Sequence, residues 1–247
     1  MAEHFPLRLA ASRMLAPSVR HMAFERADGQ AFAFIPGQFV QMHFNYADGK
    51  PTKRSYSVAT IGDGGAVERL EIAVSYVDGG AATALLANLK EGDSVDGSGP
   101  YGRFCLMDAD ANRRYLLVAT GTGVTPYRSM LPQLEKLIAA RDIQVALVYG
   151  ARNEAELLYA DEFEAFAQKN PNFHFYACLS RTPRSLPRPH DRNGHVQVAL
   201  TELMPDPAHD VAYLCGNPDM VDQAFAQLKE AGLPIPHIRR EKYVSSR

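Results

Sequence analysis

Two stretches of the chain carry residue types whose spacing suits the grip of a phosphate-bearing, flat heterocyclic ligand. In the first, an apolar run, Tyr115-Leu116-Leu117-Val118-Ala119, leads into Thr120-Gly121-Thr122-Gly123-Val124-Thr125-Pro126. Gly121 and Gly123, one residue apart, permit a tight turn and a close approach of backbone to a ligand. Pro126 fits the first turn of a helix, where its missing N–H is no loss. The open N–H groups and positive dipole end of that helix suit a phosphate. Pro126 stands where a G-x-G-x-x-G fingerprint has its third glycine, so the turn by itself also reads as an ordinary strand-to-helix connection. The second stretch is Arg54-Ser55-Tyr56-Ser57. A guanidinium fork matches a pyrophosphate, a tyrosine ring can lie against a heterocycle, and a serine can donate to a ring nitrogen. Gly79-Gly80-Ala81-Ala82-Thr83 opens a helix with small residues and makes a further anion site, and Gly99-Pro100-Tyr101-Gly102 is a rigid turn with room for a ligand. Taken singly, each has a plain reading as a surface charge, a barrel residue or a hairpin.

Two kinds of element are needed to position these residues. Over residues 7–107 the signals are short alternating runs (32–35, 38–44, 70–77) broken by Gly, Pro, Asp and Asn. Such runs predict a closed antiparallel barrel or sandwich. One helix, 81–89, interrupts them with Leu85, Leu86 and Leu89 on one face. From residue 115 the pattern alternates. Strands are expected at 115–119, 143–150, 173–179 and 211–216. Helices are expected after Pro126 (Tyr127, Met130, Leu131 and Leu134 on the apolar side), at 154–167, at 195–203 and at 220–231, the last capped by Asn217-Pro218-Asp219. Strand–helix alternation implies a mostly parallel sheet with ligands at its carboxyl ends. Those ends, Thr120-Gly121, Gly150-Ala151-Arg152, Ser180-Arg181 and Gly216-Asn217, should line one crevice. The domain boundary is placed between residues 1–110 and 111–247.

The second strand end bears on which dinucleotide is bound. An NAD site usually carries an acid there for the ribose 2′-OH; here stands Arg152, with Ser180 and Arg181 ending the third strand. Arginines at these places suit a 2′-phosphate, the plain alternative being solvated surface charge. Residues 183–193, rich in Pro and Arg, form either a lid or a polar connection.

The totals narrow the class. At 247 residues and 46% apolar content the chain can fill two modest cores. A net charge of −2 argues against general nucleic-acid binding. No apolar run is long enough to span a bilayer, and the N-terminus lacks a secretory pattern. Cys105, Cys178 and Cys215 show no metal or iron–sulfur spacing, so redox chemistry would need an organic cofactor. A cytoplasmic monomer is expected.

The ordered set of motifs resembles the ferredoxin–NADP reductase family, in its bacterial branch. The matching pieces are Pro36-Gly37-Gln38-Phe39, Arg54-Ser55-Tyr56-Ser57, Gly79-Gly80-Ala81-Ala82-Thr83, Gly99-Pro100-Tyr101-Gly102, Gly121-Thr122-Gly123-Val124-Thr125-Pro126 and Leu214-Cys215-Gly216-Asn217-Pro218-Asp219-Met220-Val221. The resemblance implies an N-terminal FAD-binding Greek-key β-barrel and a C-terminal NADP-binding Rossmann-like α/β domain. It implies that Arg54, Ala81, Ala82 and Thr83 hold the FAD phosphates, that Ser55 is among the cofactor-binding residues, that Tyr56 and Ser57 sit at the isoalloxazine, and that Ala73, Val74 and Ser75 run along it. Gly121, Gly123, Ala151, Gly216, Asn217, Asp219 and Met220 would lie along the nicotinamide nucleotide, Thr122 near the flavin or the nicotinamide, and Arg152, Ser180 and Arg181 on the 2′-phosphate. Cys215 would face the nicotinamide, with Ser57 and Glu241 as a polar pair near flavin N5. Tyr243 either stacks on the flavin ring or packs elsewhere, because Val244-Ser245-Ser246-Arg247 continues past it. His195 stands where bacterial relatives often carry an arginine.

The implied activity is an NADPH-dependent flavoprotein oxidoreductase with FAD and NADP(H) as cofactors. Its partner in electron transfer would be ferredoxin or flavodoxin. Rival readings are a related reductase serving cytochrome b5, an oxygenase component or ferric iron, a free-flavin reductase, and a non-catalytic dinucleotide sensor. Lys50, Lys53 and Lys242 are candidates for a basic patch facing an acidic carrier, the plain alternative being ordinary surface charge.

Overall fold

The computed structural model describes residues 3–46, 48–76, 80–107 and 111–244. Val77, Asp78 and Gly79 of the expected strand end and glycine turn lie outside the described residues, as do 108–110 and the tail 245–247. Contacts divide the chain into two units, one built around the chain up to Leu106 together with Thr125–Pro132, the other from Met107–Val124 and Gln133–Val244.

The first unit is antiparallel. Its strands are β1 (Glu3–Ala16), β2 (Val19–Arg26), β3 (Phe32–Ala33), β4 (Phe39–Asn45), β5 (Pro51–Ser57), β6 (Ala66–Val67), β7 (Arg69–Ser75) and β8 (Ser94–Tyr101), with helix α1 (Ala81–Asn88) between β7 and β8. Six of them form one sheet in the order β5-β4-β8-β1-β2-β7. Where the chain leaves edge strand β5 it meets the other edge: Val58 bridges Ile72, and Ala59 N–H donates to Glu71 O at 2.7 Å. The core follows from period-two alternation. Phe5, Leu7 and Leu9 of β1 point inward with Met22, Phe24, Val40, Met42, Ile72 and Val74, and Leu86 and Leu89 close the cluster. The short helix α1 has no basic residue in its own last turn. Arg20 of β2 does that work, donating to Leu86 O (3.0 Å), Ala87 O (3.2 Å) and Leu89 O (3.0 Å).

The second unit is α/β. It contains β9 (Arg114–Thr120), α2 (Thr125–Arg141), β10 (Gln144–Ala151), α3 (Ala160–Lys169), β11 (Phe173–Leu179), β12 (Arg192–Asn193), α4 (Val196–Leu203), β13 (Asp210–Gly216), α5 (Pro218–Glu230) and β14 (Ile238–Lys242). All its strand pairs are parallel, in the order β12-β11-β10-β9-β13-β14. Leu116, Val118, Ala146, Val148, Cys178, Ala212 and Leu214 face α4 and α5 on one side. On the other, Phe163 of α3 packs on Phe175. Strand order reverses between β9 and β13, the topological switch point at which such sheets bind ligands.

Three expectations differ from the fold. Leu85, expected on the apolar face of the first helix, is exposed, while Leu86 and Leu89 are buried. The helix expected at 154–167 is a 3-10 turn, Glu154–Glu156, followed by α3 from Ala160. The Leu158 N–H, which an unbroken helix would give to Glu154 O, goes instead to the Tyr149 hydroxyl (3.2 Å), and Tyr159 sits at φ 58°. The sequence gives no sign of strand β14, because four of its five residues are charged (Arg239, Arg240, Glu241 and Lys242); pairing with β13 and contacts with α5 fix it.

Candidate functional site

In the first unit the candidate residues sit on the edge strands. Arg54 and Tyr56 share a face of β5 opposite Met42 and Val40. The Arg54 guanidinium donates to Thr52 Oγ1 (3.1 Å), Lys53 O (2.9 Å) and the Tyr46 hydroxyl (3.3 Å), and lies 5.9 Å from the Phe44 ring. These neutral partners leave its charge uncompensated among the described residues. Burial pushes the Tyr56 phenol up to about 12, against the pull of the Arg54 charge, so the ring is neutral at any working pH. Ser55 is exposed, and Ser57 is buried at the end of the strand. On β7, Ala73 and Val74 are buried and Ser75 exposed. Ala81 opens α1 after Gly80, and Thr83 lies in its first turn.

In the second unit the site residues gather at the carboxyl ends of the strands. A 3-10 turn, Gly121–Val124, links β9 to α2. Gly121 has φ 55° and nothing within 4 Å of where a Cβ would stand; Thr122 is half-buried and Gly123 buried. Across the switch point, Gly216 at φ 130° passes so close to β9 that a Cβ would lie 2.5 Å from Thr120 O. Only glycine fits both demands. Asn217 N–H donates to Thr120 Oγ1 (3.1 Å), and the Asn217 side chain accepts from Asp219 N (2.9 Å) and Met220 N (3.4 Å), capping α5 as expected.

Parallel pairing of β13 with β14 sets Cys215 opposite Glu241. The chain turns back past them, Tyr243 N–H donating to Gly216 O at 2.8 Å. Cys215 is fully buried. Burial pushes its thiol well above the ordinary range and the Glu241 charge adds to that, while a hydrogen bond from the Tyr243 hydroxyl works the other way. The fold thus brings Cys215, Glu241 and Tyr243 into one cluster.

Arg152, Ser180 and Arg181 also come together. Backbone pairing of β10 and β11 runs past the strand ends, with Ser180 N–H to Ala151 O (3.0 Å) and Arg181 N–H to Arg152 O (2.9 Å). Both arginines are exposed. Three further arginines nearby are in ion pairs. Arg184 is buried against Glu164 (2.6 Å) and Asp191 (3.4 Å), Arg188 pairs with Glu164 (3.2 Å), and Arg192 pairs with Glu202 (2.5 Å). Residues 183–193 are therefore pinned to α3 and α4 by ion pairs. His195 is the exposed N-cap of α4. Of the three lysines, Lys50 pairs with Asp48 (2.9 Å), Lys242 with Asp222 (2.7 Å), and Lys53 is exposed.

Tyr149 had no role assigned from sequence. Its buried hydroxyl donates to Gly121 O (3.0 Å), lies 3.3 Å from Glu156 O and accepts from Leu158 N (3.2 Å), tying the glycine turn to the loop that carries Arg152. A tyrosine inside an apolar strand gives no sign of such a bond. Glu156 was missed too, although the i,i+4 spacing from Arg152 was visible.

The donor set fits nucleotide phosphates. The N-termini of α1 and α2 have no side-chain cap and no acid in the first turn, a state α4 shares. By contrast α5 is capped by Asn217 and α3 carries Asp161 and Glu162. Uncapped N–H groups beside small residues are what an anion requires.

Comparison with known proteins agrees with this geometry. Residues 6–105 match the oxidoreductase FAD-binding domain family and residues 117–225 the oxidoreductase NAD-binding domain family. The chain is 38% identical to a ferredoxin–NADP reductase B of Sorangium cellulosum over 98% of each chain. It is 29% identical to the toluate 1,2-dioxygenase electron transfer component of Pseudomonas putida, over 95% of this chain but 66% of that protein. Its fold is similar to that of a ferredoxin NADP+ reductase from Neisseria gonorrhoeae solved with bound FAD and NADP (TM-score 0.82, 21% identity, 98% of this chain and 99% of that one). The end-to-end match at 38% identity, on a fold with this switch point, shows that the chain belongs to the ferredoxin–NADP reductase family.

Proposed function

We propose that this protein oxidises NADPH through bound FAD and delivers the electrons to a one-electron carrier, ferredoxin or flavodoxin. The observation that carries the reading is the switch point between β9 and β13, where the open Gly121 turn stands beside Cys215, Gly216 and Asn217. Bound FAD supplies the chemistry, accepting a hydride at N5 and releasing electrons singly. Arg54 and the N-terminus of α1 hold its pyrophosphate, with Ser55, Ala81, Ala82 and Thr83 alongside. Tyr56, neutral and half-buried, lies against its ring system, Ser57 donates toward N5, and Ala73, Val74 and Ser75 follow its length. Gly121, Thr122, Gly123, Ala151, Gly216, Asn217, Asp219 and Met220 line the nicotinamide nucleotide. Arg152, Ser180 and Arg181 read its 2′-phosphate. Cys215 acts as an uncharged spacer: a thiol held protonated neither attacks the nicotinamide nor repels it. Tyr243 orients that thiol through its hydroxyl, and Glu241 is the neighbouring carboxylate. The domain boundary belongs between residues 110 and 111.

The toluate relative supports a second acceptor, an oxygenase component, although this chain spans only about two thirds of that protein. The test is parallel kinetics with NADPH and NADH, using ferredoxin, flavodoxin, cytochrome b5 and ferric citrate as acceptors. Faster reduction of ferredoxin or flavodoxin, with NADPH preferred, is expected. A purified protein that retains no flavin, or that reduces ferric citrate fastest, would sink the reading. Among the described residues no helix is long and apolar enough to cross a membrane.

A further inference from the structure

The two arginines at the ends of β10 and β11 are not equivalent. Arg152 is held by Glu156 in a bidentate pair, Nε to Oε2 at 2.8 Å and Nη2 to Oε1 at 2.6 Å. That is the same fork geometry by which a guanidinium takes a phosphate. Glu156 is fixed from below, its own carbonyl lying near the Tyr149 hydroxyl and its backbone closing the 3-10 turn on Asn153 O (3.2 Å). Its carboxylate is about a quarter exposed, against about half for Arg152. Arg181, one backbone hydrogen bond away, makes no ion pair among the described residues.

We propose that Glu156 is a built-in competitor for Arg152, set where a 2′-phosphate would bind, and that it limits how strongly the protein prefers NADPH over NADH. The inference rests on the reading of Arg152 as a 2′-phosphate contact. A nucleotide bearing that phosphate must displace a carboxylate from the fork, and the displaced charge stays close enough to oppose the incoming dianion. A nucleotide without it meets an already neutralised Arg152, so its binding is unaffected. Arg181 then carries most of the net attraction. Because the pair is exposed, the effect is modest, of the order of an exposed ion pair, about two- to fivefold in affinity.

The experiment measures binding of 2′,5′-ADP and of 5′-AMP to the FAD-loaded full chain by calorimetry, for the parent, E156Q, R152Q and the double variant. Expected are two- to fivefold tighter 2′,5′-ADP binding by E156Q, unchanged 5′-AMP binding, weaker 2′,5′-ADP binding by R152Q, and no gain from E156Q once Arg152 is gone. If R152Q weakens 2′,5′-ADP but E156Q does not tighten it, Arg152 is a phosphate contact and Glu156 is no competitor. If E156Q weakens both ligands, Glu156 is a support for the loop and the proposal fails. If R152Q leaves 2′,5′-ADP binding unchanged, the proposal fails together with the reading beneath it.

Discussion

At the scale of single residues, the environment of Cys215 decides what its chemistry can be. Water is excluded, a carboxylate is nearby and a tyrosine hydroxyl points at the sulfur. The sign follows from linkage. Native Cys215 keeps its proton, whereas the unfolded chain ionises near the ordinary value of 9.0. Its contribution to stability is full below that value and falls as pH rises past it. Thiol reagents at pH 8 should therefore label half-buried Cys105 in the native protein and reach Cys178 and Cys215 only on unfolding. C215A should keep the fold, losing about 1 kcal/mol for a small cavity, but slow flavin reduction by NADPH about tenfold through a looser nicotinamide position. Stopped-flow reduction at an unchanged rate would show that Cys215 only fills space.

Among elements, α1 is the one most dependent on another part of the chain. Eight residues are too few for a helix to persist in water on propensity. Its apolar side is anchored by Leu86, and its last carbonyls are satisfied by Arg20 of β2, 66 to 69 residues away in sequence. R20M should leave those buried carbonyls short of donors, costing about 1–3 kcal/mol. If the other end of α1 holds a phosphate, the same variant should lose FAD faster on gel filtration than the parent does. Equal flavin retention, with the expected drop in melting temperature, would remove α1 from the FAD site. The sequence marked this helix by its leucines and its glycine start, and α2 by Pro126. It could not show what holds either in place. The same limit hid the break after Glu156, where a hydroxyl from β10 takes the N–H that a continuous helix needs.

For the whole molecule, two units with separate cores imply separate ligand responses. Free FAD at a hundred times its dissociation constant should stabilise the protein by about 2.7 kcal/mol. In hydrogen exchange, FAD should protect amides of residues 52–57 and 80–84, and 2′,5′-ADP those of 121–124 and 180–182. Protection appearing in the opposite halves would overturn the assignment of cofactors to domains.

What the sequence determined by itself was local and periodic. Strand alternation, glycine turns, the Asn217 cap and the order of motifs were legible because each depends on residues close together in the chain. The antiparallel and parallel halves followed from them. Tertiary structure alone decided which charges are spent and which are available. Arg152, Arg184 and Arg192 look alike in sequence, yet one pairs on the surface, one is buried among acids and one is tied to α4. Tertiary structure also placed Cys215 beside Glu241 and Tyr243. The reason is physical: charge pairing and burial are properties of distance in space, and a chain folded into parallel strands brings its distant residues to one edge in an order that no local pattern records.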